Sequence, residues 1–122
     1  MLEDEKEKLA VVAREAEEEG LCKHKSGNFS IKDKNTGCVL ITPSGVDRKN
    51  LSGDDICVLD LDLNVIESKK GYKPSSEVLM HIYAYNSRKD ISAVVHTHSH
   101  FATSFAVLKK EIPPVVYESV YY

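Results

Sequence analysis

Two histidines separated by one residue, His96 and His98, follow a short β-branched run that ends in Val94-Val95. Alternate residues of a strand point to the same face, roughly 6.5 Å apart along it, so two such imidazoles can converge on one ion. The same pattern also occurs as two ordinary polar residues at a strand end, and alone it is a weak signal. His100 has the same spacing from His98. We expect a turn to move His100 away, leaving the earlier pair as ligands.

Glu77 offers a carboxylate that would complete such a site. It follows two serines and a proline in the first turn of a predicted helix, and that helix leads into the histidine strand. Two imidazoles and a carboxylate form a catalytic zinc set that leaves positions for water or substrate. A glutamate at a helix start can also simply cap the helix or complement its dipole. His81, one turn further on, is either close to the ligands or packed in the core, and we expect packing.

Three short segments rich in small residues suggest an anion site: Ser26-Gly27-Asn28, Thr42-Pro43-Ser44-Gly45 and Pro74-Ser75-Ser76. Each offers hydroxyl or amide groups beside backbone that a ligand can approach closely. The third also opens a helix, whose free N–H groups and dipole favour an anion. Together the segments could hold a phosphate without an arginine. Each segment taken alone is as easily a turn, because Gly, Ser, Asn and Pro dominate turns.

The elements that must position these residues follow from periodicity and breakers. A helix is predicted over residues 3–19, ended by Gly20, and strands over 29–32, 38–41 and 56–61. The first two strands form a hairpin across residues 35–37. A helix then runs from Ser75 or Ser76 to about Asn86, and its apolar face is Val78, Leu79, Ile82 and Tyr83. A strand over 91–96, a helix over 101–108 and a β-prone segment over 112–117 complete an α/β pattern with a partly antiparallel sheet.

The composition places limits on the function. The chain has 122 residues, suited to one domain, with 16 basic and 19 acidic residues and a net charge of -3, which weighs against nucleic acid as a partner. No apolar run is long enough to span a membrane, and the first residues lack the apolar stretch of a secretory signal. We therefore expect a cytoplasmic protein. Its three scattered cysteines are interpreted as reduced, packed thiols: Cys22, Cys38 and Cys57.

Four motifs occur in one order: Ser-Gly-Asn-Phe-Ser (26–30), Ile-Thr-Pro-Ser-Gly (41–45), Lys-Pro-Ser-Ser-Glu (73–77) and Val-Val-His-Thr-His (94–98). With them the chain resembles the class II aldolase/adducin family, and within it the L-fuculose-1-phosphate aldolases, from about residue 10 to residue 117. The resemblance implies an α/β/α layered domain with a mostly antiparallel sheet, usually in a cyclic homotetramer. Family members are longer, with a third histidine ligand beyond the match to residue 122. The resemblance therefore implies the N-terminal portion of such a domain.

The resemblance also implies roles for individual residues. Glu77 would be both metal ligand and acid/base, with His96 and His98 as ligands of zinc or another divalent ion. Tyr117 would reach the site of a neighbouring subunit and serve the departing aldehyde oxygen. The implied reaction is cleavage of a ketose 1-phosphate, such as L-fuculose 1-phosphate, to dihydroxyacetone phosphate and an aldehyde. The substrate phosphate would be held by Gly27, Asn28, Ser44, Gly45, Ser75 and Ser76.

Related chemistry leaves alternatives open. An L-ribulose-5-phosphate 4-epimerase breaks and rejoins the same kind of bond, although that branch usually has aspartate where this chain has Glu77. A methylthioribulose-1-phosphate dehydratase shares the glutamate and the histidines. A non-catalytic interaction domain like the adducin head keeps the fold but loses the ligands. The joint presence of Glu77, His96 and His98 argues against that last possibility.

Overall fold

The computed structural model describes residues 2–115 of the chain. Helices α1, α2 and α3 cover Glu3–Glu18, Val78–Ser87 and His100–Val107. Strands β1 to β5 cover Asn28–Lys32, Val39–Ile41, Cys57–Leu59, Val65–Glu67 and Ala93–His96. Two short 3-10 helices, Arg48–Asn50 and Gly53–Asp55, connect β2 to β3. The strands form one five-stranded sheet in the order β4-β3-β2-β1-β5, and every pairing in it is antiparallel.

The two longer helices lie on opposite faces of this sheet. The apolar stripe of α1 packs against one face, where Leu40 and Val58 point toward Leu9 and Ala13. Helix α2 packs against the other face, which is formed by the alternate residues Val39, Ile41, Cys57 and Leu59. Because both faces are covered, β2 and β3 are apolar at consecutive positions rather than at every second one. The expected α/β/α layering with an antiparallel sheet is therefore confirmed.

Strand β1 carries polar residues on the face that α2 covers. Phe29 points into the α1 layer, whereas Asn28 and Ser30 point toward α2 and are 4% and 1% exposed. The hairpin predicted between β1 and β2 is confirmed, with Gly37 at a φ of 74° in its turn. A left-handed turn residue of this kind is readily supplied by glycine. The hairpin sets the register of β1 against β2. In this register Asn28, the first residue of β1, lies at one end of the sheet.

Several boundaries differ from the predictions. Strand β4 was not predicted, because Val65 and Ile66 are about half exposed on an edge strand and give no buried pattern. The predicted third strand shortens to residues 57–59, and α2 begins at Val78 rather than at the serines. The predicted β-prone segment forms no strand in its described part, residues 112–115, and its remainder, with Tyr117, lies outside the described residues.

The predicted buried face of α2 was wrong in part. Leu79 and Tyr83 are 63% and 76% exposed, whereas His81 and Tyr85 are fully buried. The reason is that β1 presents hydrogen-bonding groups to α2, and only a polar side chain can satisfy them. Hydrophobicity therefore did not identify the inner face of this helix.

Two further expectations concern membrane-spanning helices and the cysteine thiols. Within residues 2–115, no helix has the length and hydropathy needed to cross a membrane. The three cysteines are buried free thiols, as predicted, and burial raises the pKa of Cys57 to about 11. They are packed as small apolar side chains, and within the described residues none forms a disulfide.

Candidate metal and anion site

Glu77, His96 and His98 lie together at one end of the sheet. Glu77 is the residue immediately before α2, His96 is the last residue of β5, and His98 is two residues further on. One possible ligand atom from each of the three lies within 4.8 Å of the others. Ligands of a tetrahedral zinc ion stand about 3.3 Å apart, a separation comparable to that of these three atoms. Two imidazoles and a carboxylate fit a borderline divalent cation such as Zn²⁺.

The backbone explains why these side chains meet. Asn28 and His96 face each other across the β1–β5 pair, which brings the end of β5 beside the loop before β1. The N–H of His98 donates to the carbonyl of Leu21 at 3.1 Å, which fixes the chain after the strand. His100 begins α3 and does not belong to the group of possible ligands. The turn after His98 thus separates His100 from the pair, as expected.

Glu77 does not cap its helix. Its side chain makes no capping hydrogen bond, and instead its Oε2 accepts from Asn28 Nδ2 at 2.6 Å and lies 3.1 Å from His96 Nδ1. The Asn28 hydrogen bond is the largest cause that lowers the pKa of Glu77 below its usual value of 4.5, and the neighbouring His96 and His98 side chains lower it further. The carboxyl group is therefore ionised at neutral pH, which is the form that binds a metal or accepts a proton.

The Asn28 amide connects Glu77 to both a ligand and a buried histidine. Its Oδ1 lies 3.2 Å from His96 Nδ1 and 2.6 Å from His81 Nε2. His96 Nδ1 therefore faces two acceptors, Asn28 Oδ1 and Glu77 Oε2, so it carries the ring proton and leaves Nε2 free for an ion. The expectation that His81 is simply packed was incomplete, because this ring is buried yet hydrogen-bonded to the residue that contacts Glu77 and His96.

The three small-residue loops meet in one recess beside Glu77 and His98. This recess of about 100 Å³ contains all six residues expected to hold a phosphate, together with Glu77 and His98. Ser75 is buried and its Oγ accepts from the Glu77 N–H at 3.3 Å, whereas Ser76 is exposed toward solvent. The isolated pairing of Pro43 with Pro74 holds two of the loops together. A ligand in the recess would thus lie next to the Glu77 carboxylate and the His98 imidazole.

Two cationic residues, Arg48 and Lys25, also line the recess. The Arg48 guanidinium is buried, donates to the carbonyls of Lys25 and Gly27, and lies 3.7 Å from Glu17. The loops were expected to be able to hold a phosphate without an arginine, and the structure adds Arg48 to their lining. Arg48 follows Gly45 by only three residues, so a basic residue soon after a small-residue loop was the available signal. A buried guanidinium behind the loop strengthens its attraction for an anion.

Gly27 allows the loop before β1 to approach the histidine strand. Its φ is 72°, and a Cβ there would lie 2.6 Å from both Cys22 Sγ and the His96 carbonyl oxygen. No side chain fits at that distance without moving backbone. Gly45, with a φ of 69°, has open space where a Cβ would be. The first glycine is thus required by packing as well as by conformation, and the second by conformation.

Comparison with known proteins shows to which family the chain is related. The family described as Class II Aldolase and Adducin N-terminal domain matches residues 7–122. The chain belongs to the class II aldolase and adducin family. A 5-deoxy-D-ribulose 1-phosphate aldolase of Bacillus thuringiensis is 40% identical over 117 residues, which are 96% of this chain and 54% of that protein. An L-fuculose phosphate aldolase of Methanococcus maripaludis is 42% identical over 76% of this chain and 48% of its own length.

Other relatives of this class II aldolase family member broaden the range of chemistry. A probable L-ribulose-5-phosphate 4-epimerase of Mycoplasma pneumoniae is 46% identical over 77% of the chain and 38% of that protein. A solved L-fuculose 1-phosphate aldolase superposes with a TM-score of 0.84 at 36% identity, over 90% of this chain and 51% of its own. The chain thus spans about half the length of the relatives that it matches, so the activity of a whole protein is a matter for proposal.

Proposed function

We propose that this chain supplies the metal and phosphate part of the active site of an aldolase. The reaction is the cleavage of a ketose 1-phosphate, such as L-fuculose 1-phosphate, to dihydroxyacetone phosphate and an aldehyde. The observation that carries the proposal is the recess of three small-residue loops lying directly beside Glu77 and His98. An anion held there would place the adjoining carbons of the sugar next to the carboxylate and the imidazoles. The relatives that cleave sugar phosphates support this substrate class.

Different residues of the chain would bind the substrate phosphate, hold the divalent ion and transfer a proton. The loop amides and serine hydroxyls would hold the phosphate, and Glu77, His96 and His98 would hold a divalent ion. Such an ion, when bound, supplies Lewis-acid stabilisation of charge on the substrate oxygens. As the carbon–carbon bond breaks, its electron pair stays with the dihydroxyacetone phosphate half, and that carbon must take up a proton. Glu77, ionised and beside the sugar, is the proposed carrier of that proton.

The other proton belongs to the sugar hydroxyl that becomes the aldehyde. Tyr117, which lies outside the described residues, stays our proposed partner for that oxygen, contributed by a neighbouring subunit. A homo-oligomer, with a tetramer as the expected form, agrees with the exposed apolar side chains on the outer faces of α2 and α3, among them Tyr83 and Phe101. We place the activity in the cytoplasm, where phosphorylated sugars are found.

The test is dihydroxyacetone phosphate release by the purified protein with zinc added. L-Fuculose 1-phosphate and 5-deoxy-D-ribulose 1-phosphate serve as substrates, and the unphosphorylated sugars and chelator-treated protein serve as controls. Glu77→Gln should lower kcat by about 10²–10⁴-fold, the range for losing a positioned acid or base. Glu111→Gln, at an exposed carboxylate outside the site, is the matched control. No release from either phosphorylated sugar by the zinc-loaded protein would overturn the proposal.

The second candidate is an L-ribulose-5-phosphate 4-epimerase. The observation in its favour is the Mycoplasma pneumoniae relative at 46% identity. Both reactions break the same kind of carbon–carbon bond, but the epimerase rejoins the two halves. Incubation with L-ribulose 5-phosphate separates the candidates, because the epimerase yields the 4-epimer of its substrate, whereas cleavage without rejoining releases dihydroxyacetone and glycolaldehyde phosphate.

A further inference from the structure

Helix α2 and strand β1 enclose a chain of buried hydrogen bonds that leads from the core to Glu77. Tyr85 OH lies 2.7 Å from Ser30 Oγ, and Ser30 Oγ lies 2.7 Å from His81 Nδ1. His81 Nε2 lies 2.6 Å from Asn28 Oδ1, and Asn28 Nδ2 lies 2.6 Å from Glu77 Oε2. The four inner residues are all less than 5% exposed. None of the steps proposed above uses His81, Ser30 or Tyr85.

Each hydrogen bond in this chain has only one consistent direction. The Glu77 carboxylate can only accept, so the Asn28 amide must turn its NH₂ toward it and its oxygen toward His81. His81 Nε2 must then carry a proton. In a neutral imidazole the other nitrogen, Nδ1, must accept, so Ser30 donates to His81 and Tyr85 donates to Ser30. Burial lowers the pKa of His81 to about 4, which keeps the ring neutral at physiological pH.

The position of one proton therefore decides the orientation of the Asn28 amide. If the proton moved to Nδ1, the bare Nε2 would face the Asn28 oxygen, and two acceptors would repel at 2.6 Å. Rotation of the amide would relieve that repulsion but would turn its oxygen toward the Glu77 carboxylate and its NH₂ toward His96. Both contacts between Asn28 and the possible metal ligands would be lost.

We propose that His81 is a positioning residue, whose Nε2–H fixes the Asn28 amide and through it orients two of the three metal ligands, Glu77 and His96. The inference rests on the proposed function, because it assigns His81 a purpose at that same site. His81 touches neither the ion nor the substrate. It acts by removing the alternative orientation of Asn28, so that Glu77 and His96 are held ready to bind.

The first test locates the proton. Nitrogen-15 NMR of His81 in the metal-free protein at pH 7 should show a neutral ring protonated on Nε2. A ring protonated on Nδ1, or on both nitrogens, would overturn the proposal. This measurement needs no variant and no substrate, so it decides the matter even if a substitution at His81 prevents folding.

The second test uses zinc alone, in competition with a chelator. His81→Phe keeps a ring but removes the N–H, and its zinc Kd should rise by about 10–100-fold, the usual effect of losing a partner that orients a ligand. His81→Gln keeps an N–H toward Asn28 and should restore the Kd to within about threefold of the wild type. Tyr85→Phe is the matched control: it removes a buried hydroxyl from the same hydrogen-bond chain without touching Asn28.

The outcomes separate a positioning role from a structural one. Tyr85→Phe should lower Tm and leave the zinc Kd within about threefold of the wild type. The proposal is overturned if His81→Phe binds zinc as the wild type does, or if folded His81→Gln is as weak as His81→Phe. An inactive wild type that still binds zinc and obeys these patterns would overturn the aldolase function alone. A wild type that binds no zinc would overturn both.

Discussion

Asn28 Nδ2 donates to Glu77 Oε2 at 2.6 Å, a contact that joins the first residue of β1 to the residue before α2 across 49 positions of sequence. Asn28 also lies in the recess beside Ser44 and Ser75. Asn28 thus contacts a candidate metal ligand and lines the recess, so one side chain connects the possible metal site with the possible anion site. Its substitution should therefore affect both metal and substrate binding, and cleaner tests use residues that belong to one site.

The metal ligands are tested by two substitutions and a control on the same segment. We expect His96→Ala and His98→Ala each to abolish stoichiometric zinc binding, because each removes one of three donors within 4.8 Å. His100→Ala should bind zinc like the wild type, since His100 stands at the start of α3 outside the group. Metal analysis after dialysis measures all three. Full zinc content in both His96→Ala and His98→Ala would exclude the site.

Ser76 tests the anion recess without disturbing a buried residue. It is exposed at the recess, so Ser76→Ala should fold normally and raise KM for the phosphorylated sugar by roughly 10-fold, about 1–3 kcal/mol for a hydrogen bond to a charged group. Ser87→Ala, at the exposed opposite end of α2, is the matched control. Steady-state kinetics give the comparison. An equal KM for Ser76→Ala and Ser87→Ala would show that Ser76 does not bind the substrate phosphate.

Arg48 is expected to act on substrate binding rather than on metal binding. Arg48→Met removes a buried charge and the hydrogen bonds to the carbonyls of Lys25 and Gly27. The freed loop and the lost positive charge should raise KM for the phosphorylated sugar by about 10-fold, near 1.4 kcal/mol, while the zinc Kd changes little. Lys49→Met, at an exposed residue of the same 3-10 helix, is the control. A loss of zinc binding in folded Arg48→Met would contradict the assignment of Arg48 to substrate binding alone.

Alanine substitutions at Gly27 and Gly37 distinguish the cost of an unfavourable backbone conformation from the cost of a steric clash. Both have a φ above 70°, so alanine at either should cost about 1–2 kcal/mol. A Cβ at Gly27 would also lie 2.6 Å from Cys22 Sγ and the His96 carbonyl, whereas Gly37 has open space. Gly27→Ala should therefore lose about 1–3 kcal/mol more in urea unfolding than Gly37→Ala. Equal losses would show that the loop moves aside at no cost.

The buried imidazole of His81 predicts how stability depends on pH. Its folded pKa of about 4 lies below the ordinary value of 6.5, so the unfolded chain takes up a proton first as the pH falls. The stabilising contribution is complete above pH 6.5 and is lost as the pH falls toward 4. Between pH 7.5 and 4.5 we expect a loss of about 2–3 kcal/mol in the free energy of unfolding. Urea unfolding of metal-free wild type and His81→Gln isolates this contribution, and identical pH slopes for the two proteins would refute it.

Local sequence patterns predicted the three helices and the candidate ligands Glu77, His96 and His98. The His-x-His spacing places two imidazoles on one strand face, and the glutamate after two serines stands at a helix start because local turn chemistry puts it there. These features depend on interactions between residues close in the chain, and periodicity records them directly.

Which polar residues are buried depends on contacts between segments that are distant in the sequence. Ser30 lies between the apolar residues Phe29 and Ile31, and nothing in this local pattern accounts for its burial. It is buried because α2 covers its face of β1, where Ser30 Oγ contacts His81 Nδ1. The recess likewise required Arg48 to fold back onto the loop before β1, 21 residues away from Gly27. Such contacts are set by strand register and helix docking, which depend on the whole sheet. A local pattern of hydrophobic and polar residues carries no information about which distant group will satisfy a buried hydrogen bond.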